Sequence, residues 1–103
     1  RELSLTYKQL TNLPTEIGNL TQLRRLNLSN NKLTNLPTKI GNLTQLQHLV
    51  LYNNQITNLS GAMFPNSLIT LRLDFNQITN LSGIVFSDSL KTLNLSNNEI
   101  SII

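Results

Sequence analysis

One eleven-residue segment returns along this chain at nearly constant intervals. LRRLNLSNNKL spans Leu23 to Leu33, LQHLVLYNNQI spans Leu46 to Ile56, LITLRLDFNQI spans Leu68 to Ile78, and LKTLNLSNNEI spans Leu90 to Ile100. The copies begin 23, 22 and 22 residues apart, and a partial copy, LSLTYKQL, runs from Leu3 to Leu10. A unit this short cannot enclose its own apolar face. A period in the twenties therefore implies stacked units that share one continuous core. The 103 residues hold about four and a half units, more than the roughly three that such a stack needs.

Within each unit the apolar residues alternate with polar ones, the period-2 pattern of a short strand with one buried face. Leu26 and Leu28 are expected to point inward, as are Leu49/Leu51, Leu71/Leu73 and Leu93/Leu95. One strand per unit, all running the same way, predicts a parallel sheet with strands about 4.8 Å apart. The bulkier return path curves the stack and leaves the sheet on the concave side. Asn31, Asn54, Asn76 and Asn98 recur where the chain must turn off the strand. A buried Asn offers a donor and an acceptor on a short arm, so this column is expected to bond the turn backbone as a structural Asn ladder. Lys8 occupies the column in the first unit. Lysine cannot accept a hydrogen bond, so that turn is expected to be less well held.

The pattern LxxLxLxxNxL, four times in register over nearly the whole chain, resembles the leucine-rich repeat family. The resemblance implies an α/β right-handed solenoid with a curved parallel β-sheet on its concave face and short helical turns or extended loops on its convex face. Read this way, residues 1–103 form a single leucine-rich repeat domain with repeats at 1–22 (partial), 23–45, 46–67, 68–89 and 90–103 (partial), expected to be a fragment of a longer solenoid.

The convex segments come in two forms. LPTEIGNLTQL (Leu13 to Leu23) and LPTKIGNLTQL (Leu36 to Leu46) place Pro14 or Pro37 at the start of a helical turn, with Ile17/Leu20 and Ile40/Leu43 facing inward. Gly18 and Gly41 restrict each to a single 3₁₀ or α turn. This form resembles repeats common in bacterial proteins and in intracellular or plant-type ones. LSGAMFPNSL (Leu59 to Leu68) and LSGIVFSDSL (Leu81 to Leu90) are one residue shorter. Pro65 and the β-branched pair Ile84-Val85 favour an extended path, and Phe64 and Phe86 are expected to fill the space taken by Leu20 and Leu43 elsewhere. Tyr7 and Phe75, one residue before the ladder position, are expected to wedge into the turn.

Chemistry on this chain is sparse. There is no cysteine and one histidine, His48. Ser29, His48 and Asp74 can be drawn as a triad, but on an open sheet without a water-excluding pocket or an oxyanion hole. The expectation is a chain that is not an enzyme and has no cofactor and no metal site. Six Asn-x-Ser/Thr sequons, at Asn19, Asn27, Asn42, Asn58, Asn80 and Asn94, follow from the repeat copying itself. The formal charge of +3 is uneven, with residues 1–51 carrying Arg1, Lys8, Arg24, Arg25, Lys32 and Lys39 against Glu2 and Glu16. An excess of this size is a solubility feature, not a nucleic-acid footprint. No apolar run reaches the ~18 residues of a membrane helix. The family's secreted animal members usually carry disulfide-bearing caps, so the lack of cysteine favours an intracellular or microbial setting.

What remains is recognition. The outward strand positions form three columns across the repeats: Glu2, Arg25, His48, Thr70, Thr92; then Ser4, Asn27, Val50, Arg72, Asn94; then Thr6, Ser29, Tyr52, Asp74, Ser96. Most are Asn, Ser or Thr, and the departures gather in the middle. Tyr and Arg are enriched at interface hot spots. The expected function is a protein–protein interaction module whose concave face contacts a protein partner through Arg25, Asn27, His48, Val50, Tyr52, Arg72 and Asp74. The alternative is a structural spacer or engineered repeat fragment with no partner of its own. Both ends are expected to expose apolar layers, Leu3 and Leu5 at one and Leu93, Leu95, Ile100, Ile102 and Ile103 at the other, which favours end-to-end self-association.

Overall fold

Each LxL step forms a short strand because alternate side chains enter the core and the rest face solvent. The computed structural model describes residues 1–101; the expectations for Ile102 and Ile103 lie outside the described residues. The strands are β1 (Glu2–Ser4), β2 (Arg25–Asn27), β3 (His48–Val50), β4 (Thr70–Arg72) and β5 (Thr92–Asn94). They form one parallel sheet in the order β1-β2-β3-β4-β5. The register sets Glu2 opposite Arg25, Arg25 opposite His48, His48 opposite Thr70 and Thr70 opposite Thr92. Chain order and spatial order coincide because each unit packs on the one before it, and the result is a curved solenoid of leucine layers.

Leu26, Leu28, Leu49, Leu51, Leu71 and Leu73 have no exposed surface. Burying a leucine side chain is worth about 1.5–3 kcal/mol, so these strand leucines drive the stacking. At the two ends the layers are half covered. Leu3, Leu5 and Leu10 are only partly buried, and Leu93 is 38% exposed. Leu20, expected to face inward, is 43% exposed. It borders an apolar groove lined with Leu3, Leu5, Leu10, Leu13 and Ile17.

The four ladder asparagines each bridge two repeats. Asn54 Nδ2 donates to Leu51 O of its own repeat at 3.0 Å and to Leu28 O of the preceding one at 3.1 Å. Its Oδ1 accepts Leu33 N–H of the preceding repeat at 3.0 Å. Asn76 repeats the pattern with Leu73 O, Leu51 O and Ile56 N–H, and Asn98 with Leu95 O, Leu73 O and Ile78 N–H. Leu28 O, Leu51 O and Leu73 O therefore each accept two asparagine donors. Leu5 O receives one, from Asn31. Asn31 Oδ1 also accepts both Lys8 N–H and Leu10 N–H at 3.0 Å. The first turn is thus held from the repeat that follows it, and it lacks the second donor to its strand-end carbonyl.

The residue before each ladder position is left-handed: Tyr7, Asn30, Asn53, Phe75 and Asn97 have φ between 56° and 60°. Asn tolerates this region better than most L-residues. Here the structure corrects the sequence reading. Tyr7 and Phe75 do not wedge into the turn; they are 77% and 54% exposed. The turn backbone is bonded by a ladder asparagine, Asn76 beside Phe75 and Asn31 of the next repeat beside Tyr7, and positive φ turns the aromatic residue outward.

On the convex side, 3₁₀ helices form at Thr15–Asn19 and Thr38–Asn42, each after an extended proline. A Cβ on Gly18 would lie 2.9 Å from Lys39 Cβ, so glycine there permits neighbouring repeats to close up. Among the described residues, the two shorter repeats have no helix. Ala62 N–H bonds Leu59 O across a tight turn in which Gly61 has φ +77°, and Gly83 has φ +78° in the matching turn. The glycine of LSG, with a φ that most side chains resist, opens each extended segment. Phe64 is buried and stacks on Phe86 with ring centroids 5.9 Å apart.

Candidate functional site

The sheet's open face carries the first two columns in the register set by strand pairing. Arg25, His48, Thr70 and Thr92 lie side by side, as do Asn27, Val50, Arg72 and Asn94. The third column starts where each strand ends. Two residues two apart on one strand share a face and can interact, and the repeats use this in three ways. Asn27 Oδ1 accepts Ser29 N–H at 3.1 Å and Ser29 Oγ–H at 2.7 Å, and Asn94 holds Ser96 in the same way. In the third repeat the pair is Val50 and Tyr52. In the fourth it is an ion pair: Arg72 Nη2 donates to Asp74 Oδ2 at 2.8 Å and Arg72 Nε to Asp74 Oδ1 at 3.3 Å.

The centre of the face is therefore built from three side chains. The Arg72 guanidinium lies 4.4 Å from the Tyr52 ring centroid, within cation–π range. Its side chain is 41% exposed, whereas that of Asp74 is 3% exposed. Asp74, expected as an open contact residue, lies beneath Arg72 and acts on the surface by fixing it. Ser29, also expected to point into solvent, has no exposed surface. Both stand where the chain bends off the strand in repeats packed on both sides, whereas Ser96 in the same column is exposed. Arg25 meets Glu2 at 3.5 Å with both side chains well exposed. A pair of that kind contributes little. His48 and Val50 are half-buried.

Ser29, His48 and Asp74 do not come together as a set. Ser29 Oγ–H is given to Asn27 and the Asp74 carboxylate to Arg72, and His48 sits in a different column. Among the described residues no three His, Cys, Asp or Glu side chains converge as a metal site, and no helix is long and apolar enough to cross a membrane.

Phe75 is the surface residue that sequence reasoning missed. With Tyr52, Asn53, Arg72 and Asp74 it lines an open hollow of about 360 Å³ at the edge of the sheet face. A signal was present: its column is Asn at positions 30, 53 and 97, and an aromatic there departs from the residue the backbone favours.

Comparison with known proteins adds the following. A family model described as Leucine Rich repeats (2 copies) matches residues 21–62 and 44–86, and a Leucine Rich Repeat model matches residues 89–103. A chain in the crystal structure of the Drosophila melanogaster SNF/U2A′ complex superposes with a TM-score of 0.80 at 27% sequence identity. The match covers 97% of the present chain and 60% of that one, so this chain spans about three-fifths of its neighbour's length. No curated protein matches the sequence.

Proposed function

Because this chain belongs to the leucine-rich repeat family, we propose that it is a non-catalytic protein–protein interaction module whose concave sheet face meets the partner. The observation that carries the reading is the concentration of departures from Asn, Ser and Thr at the centre of that face. Arg25, His48, Val50, Tyr52 and Arg72 form one surface there, with Asn27 beside them and Asp74 beneath Arg72. Strand-facing columns need only be compatible with the sheet, so their identities are free for recognition. The similar fold found in the SNF/U2A′ complex, a protein assembly by its description, supports the same class of function.

The test compares binding to the same captured partner by three variants. Tyr52→Ala should weaken binding by about 1–3 kcal/mol with little change in folding. Arg72→Ala alone would strand the buried Asp74 carboxylate, so the Arg72→Ala/Asp74→Ser double variant is the fair probe; it should weaken binding similarly. Lys39→Ala, on the convex side, should leave affinity unchanged. Loss with Lys39→Ala and none with the other two would reject the concave assignment.

A further inference from the structure

The hollow beside the sheet face combines features that folding alone does not favour. Phe75 keeps an aromatic ring 54% exposed at φ 57°, a region that Asn and Gly adopt more readily. Asn30, Asn53 and Asn97 hold that place in three other repeats. Tyr52 and Arg72 line the same hollow. The Arg72 guanidinium is fixed twice over, by the Asp74 carboxylate through Nε and Nη2 and by the Tyr52 ring. Its Nη1 makes no hydrogen bond among the described residues. The result is an open hollow with two aromatic residues and one oriented cationic donor on its wall. At about 360 Å³ it falls at the small end of ligand pockets, suited to a single large side chain. From here the sheet runs toward the first half of the chain, where exposed Arg24, Arg25 and Lys32, just before, on and beyond β2, outnumber the acidic Glu2 of β1, which meets Arg25.

We propose that this hollow, formed by Phe75, Tyr52 and Arg72, is the anchor pocket of the docking face, and that it takes an aromatic or leucine-sized side chain from an acidic polypeptide segment. The inference rests on the concave-face reading and adds to it the partner's chemistry and a residue outside the strands. The buried ring of the partner packs between Phe75 and Tyr52. An acceptor beside it, a backbone carbonyl or a carboxylate, takes Arg72 Nη1–H. Flanking carboxylates then lie toward Arg25. A pre-fixed arginine loses little freedom on binding, which favours affinity.

The test uses amide chemical-shift titration of the full chain with three synthetic heptapeptides that carry a central Phe among Glu, a central Ala among Glu, or a central Phe among Lys. The Phe/Glu peptide should shift Tyr52, Arg72 and Phe75 saturably, and bind about tenfold more tightly than either control, the effect of one hot-spot side chain. Phe75→Asn should lose that tenfold while raising the urea midpoint, because Asn suits the left-handed backbone. A contact needed only for folding would move both readouts the same way. Shifts confined to Arg25, His48 and Val50, with Phe75→Asn binding as well as the parent, would overturn the pocket and leave the concave reading standing. Shifts centred on Lys39 would overturn both. No saturable shift, preferential shifts with an oligouridine strand, or concentration-dependent shifts without any peptide would overturn the pocket in favour, respectively, of no anchor, a nucleic-acid partner or a second copy of the chain.

Discussion

Two adjacent asparagines in each NN pair have separate work. Asn54 is 7% exposed and bonds four backbone groups of two repeats. Asn53 is exposed, holds φ 60°, and reaches only the Asn30 side chain. Truncating Asn54 to Ala leaves buried Leu33 N–H without its acceptor, and should cost about 1–3 kcal/mol. Asn53→Ala keeps every buried bond and loses the ease with which Asn adopts positive φ; it should cost less than half as much. Asn53→Gly should approach the parent, since glycine takes this backbone freely, whereas Asn54→Gly should be no better than Asn54→Ala. Urea melts decide it. Equal losses at the two positions, or rescue of position 54 by glycine, would show that the division of labour is wrong.

At the scale of one repeat, what matters is how completely its turn is tied to the next. Three strand-end carbonyls accept two asparagine donors, and Leu5 O accepts one, because Lys8 stands where a ladder Asn would bond it. Lys8→Asn should supply the missing donor to Leu5 O and stabilise the first repeat by about 0.5–1.5 kcal/mol, the net worth of one hydrogen bond. Hydrogen exchange at Thr6 to Leu10 should slow with it. If exchange there is unchanged and the melting temperature does not rise, Asn31 alone already satisfies the turn. The two convex forms make the same point differently. Thr15–Asn19 and Thr38–Asn42 are helical after a proline with extended ψ, while Gly61 and Gly83 turn the shorter repeats sharply. Pro65 and the β-branched pair are compatible with the extended path, but the turn that starts it belongs to glycine.

For the whole molecule the weak places are the ends. An apolar groove lined by Leu3, Leu5, Leu10, Leu13, Ile17 and Leu20 lies open on the first layer, and β1 and β5 are the edge strands of the sheet. Exposed edges pair with other chains, and terminal layers without a polar cover favour association. This 103-residue chain alone should self-associate as concentration rises, and a polar capping repeat fused over each end should give a monomer with a higher melting temperature. Sedimentation that shows a concentration-independent monomer, together with caps that leave the melting temperature unchanged, would refute it. Lys8 bears on this as well: it has no acceptor for the N–H of a repeat stacked before it, so any head-to-tail contact would lack one ladder bond.

The parallel sheet, its register and its leucine layers were legible in the sequence because they rest on period. A 22- or 23-residue spacing puts like residues beside like, and alternation sorts each strand into a buried and an open face. The asparagine column could be located by the same count. Properties that depend on a neighbour in space were not legible. Ser29 and Asp74 share the open face by sequence parity, yet both are covered where the chain bends off the strand in repeats packed on both sides. Arg72 reads as a free cation until its carboxylate and the Tyr52 ring are seen to hold it. Tyr7 and Phe75 read as turn-fillers because aromatics prefer burial, but a ladder asparagine bonds the turn backbone there, Asn76 of the same turn for Phe75 and Asn31 of the next repeat for Tyr7, and the left-handed backbone directs both outward. Repetition along the chain determines where each residue stands in the stack; whether its side chain is open, paired or buried is decided by the residues of the next layer, which a single repeat does not contain.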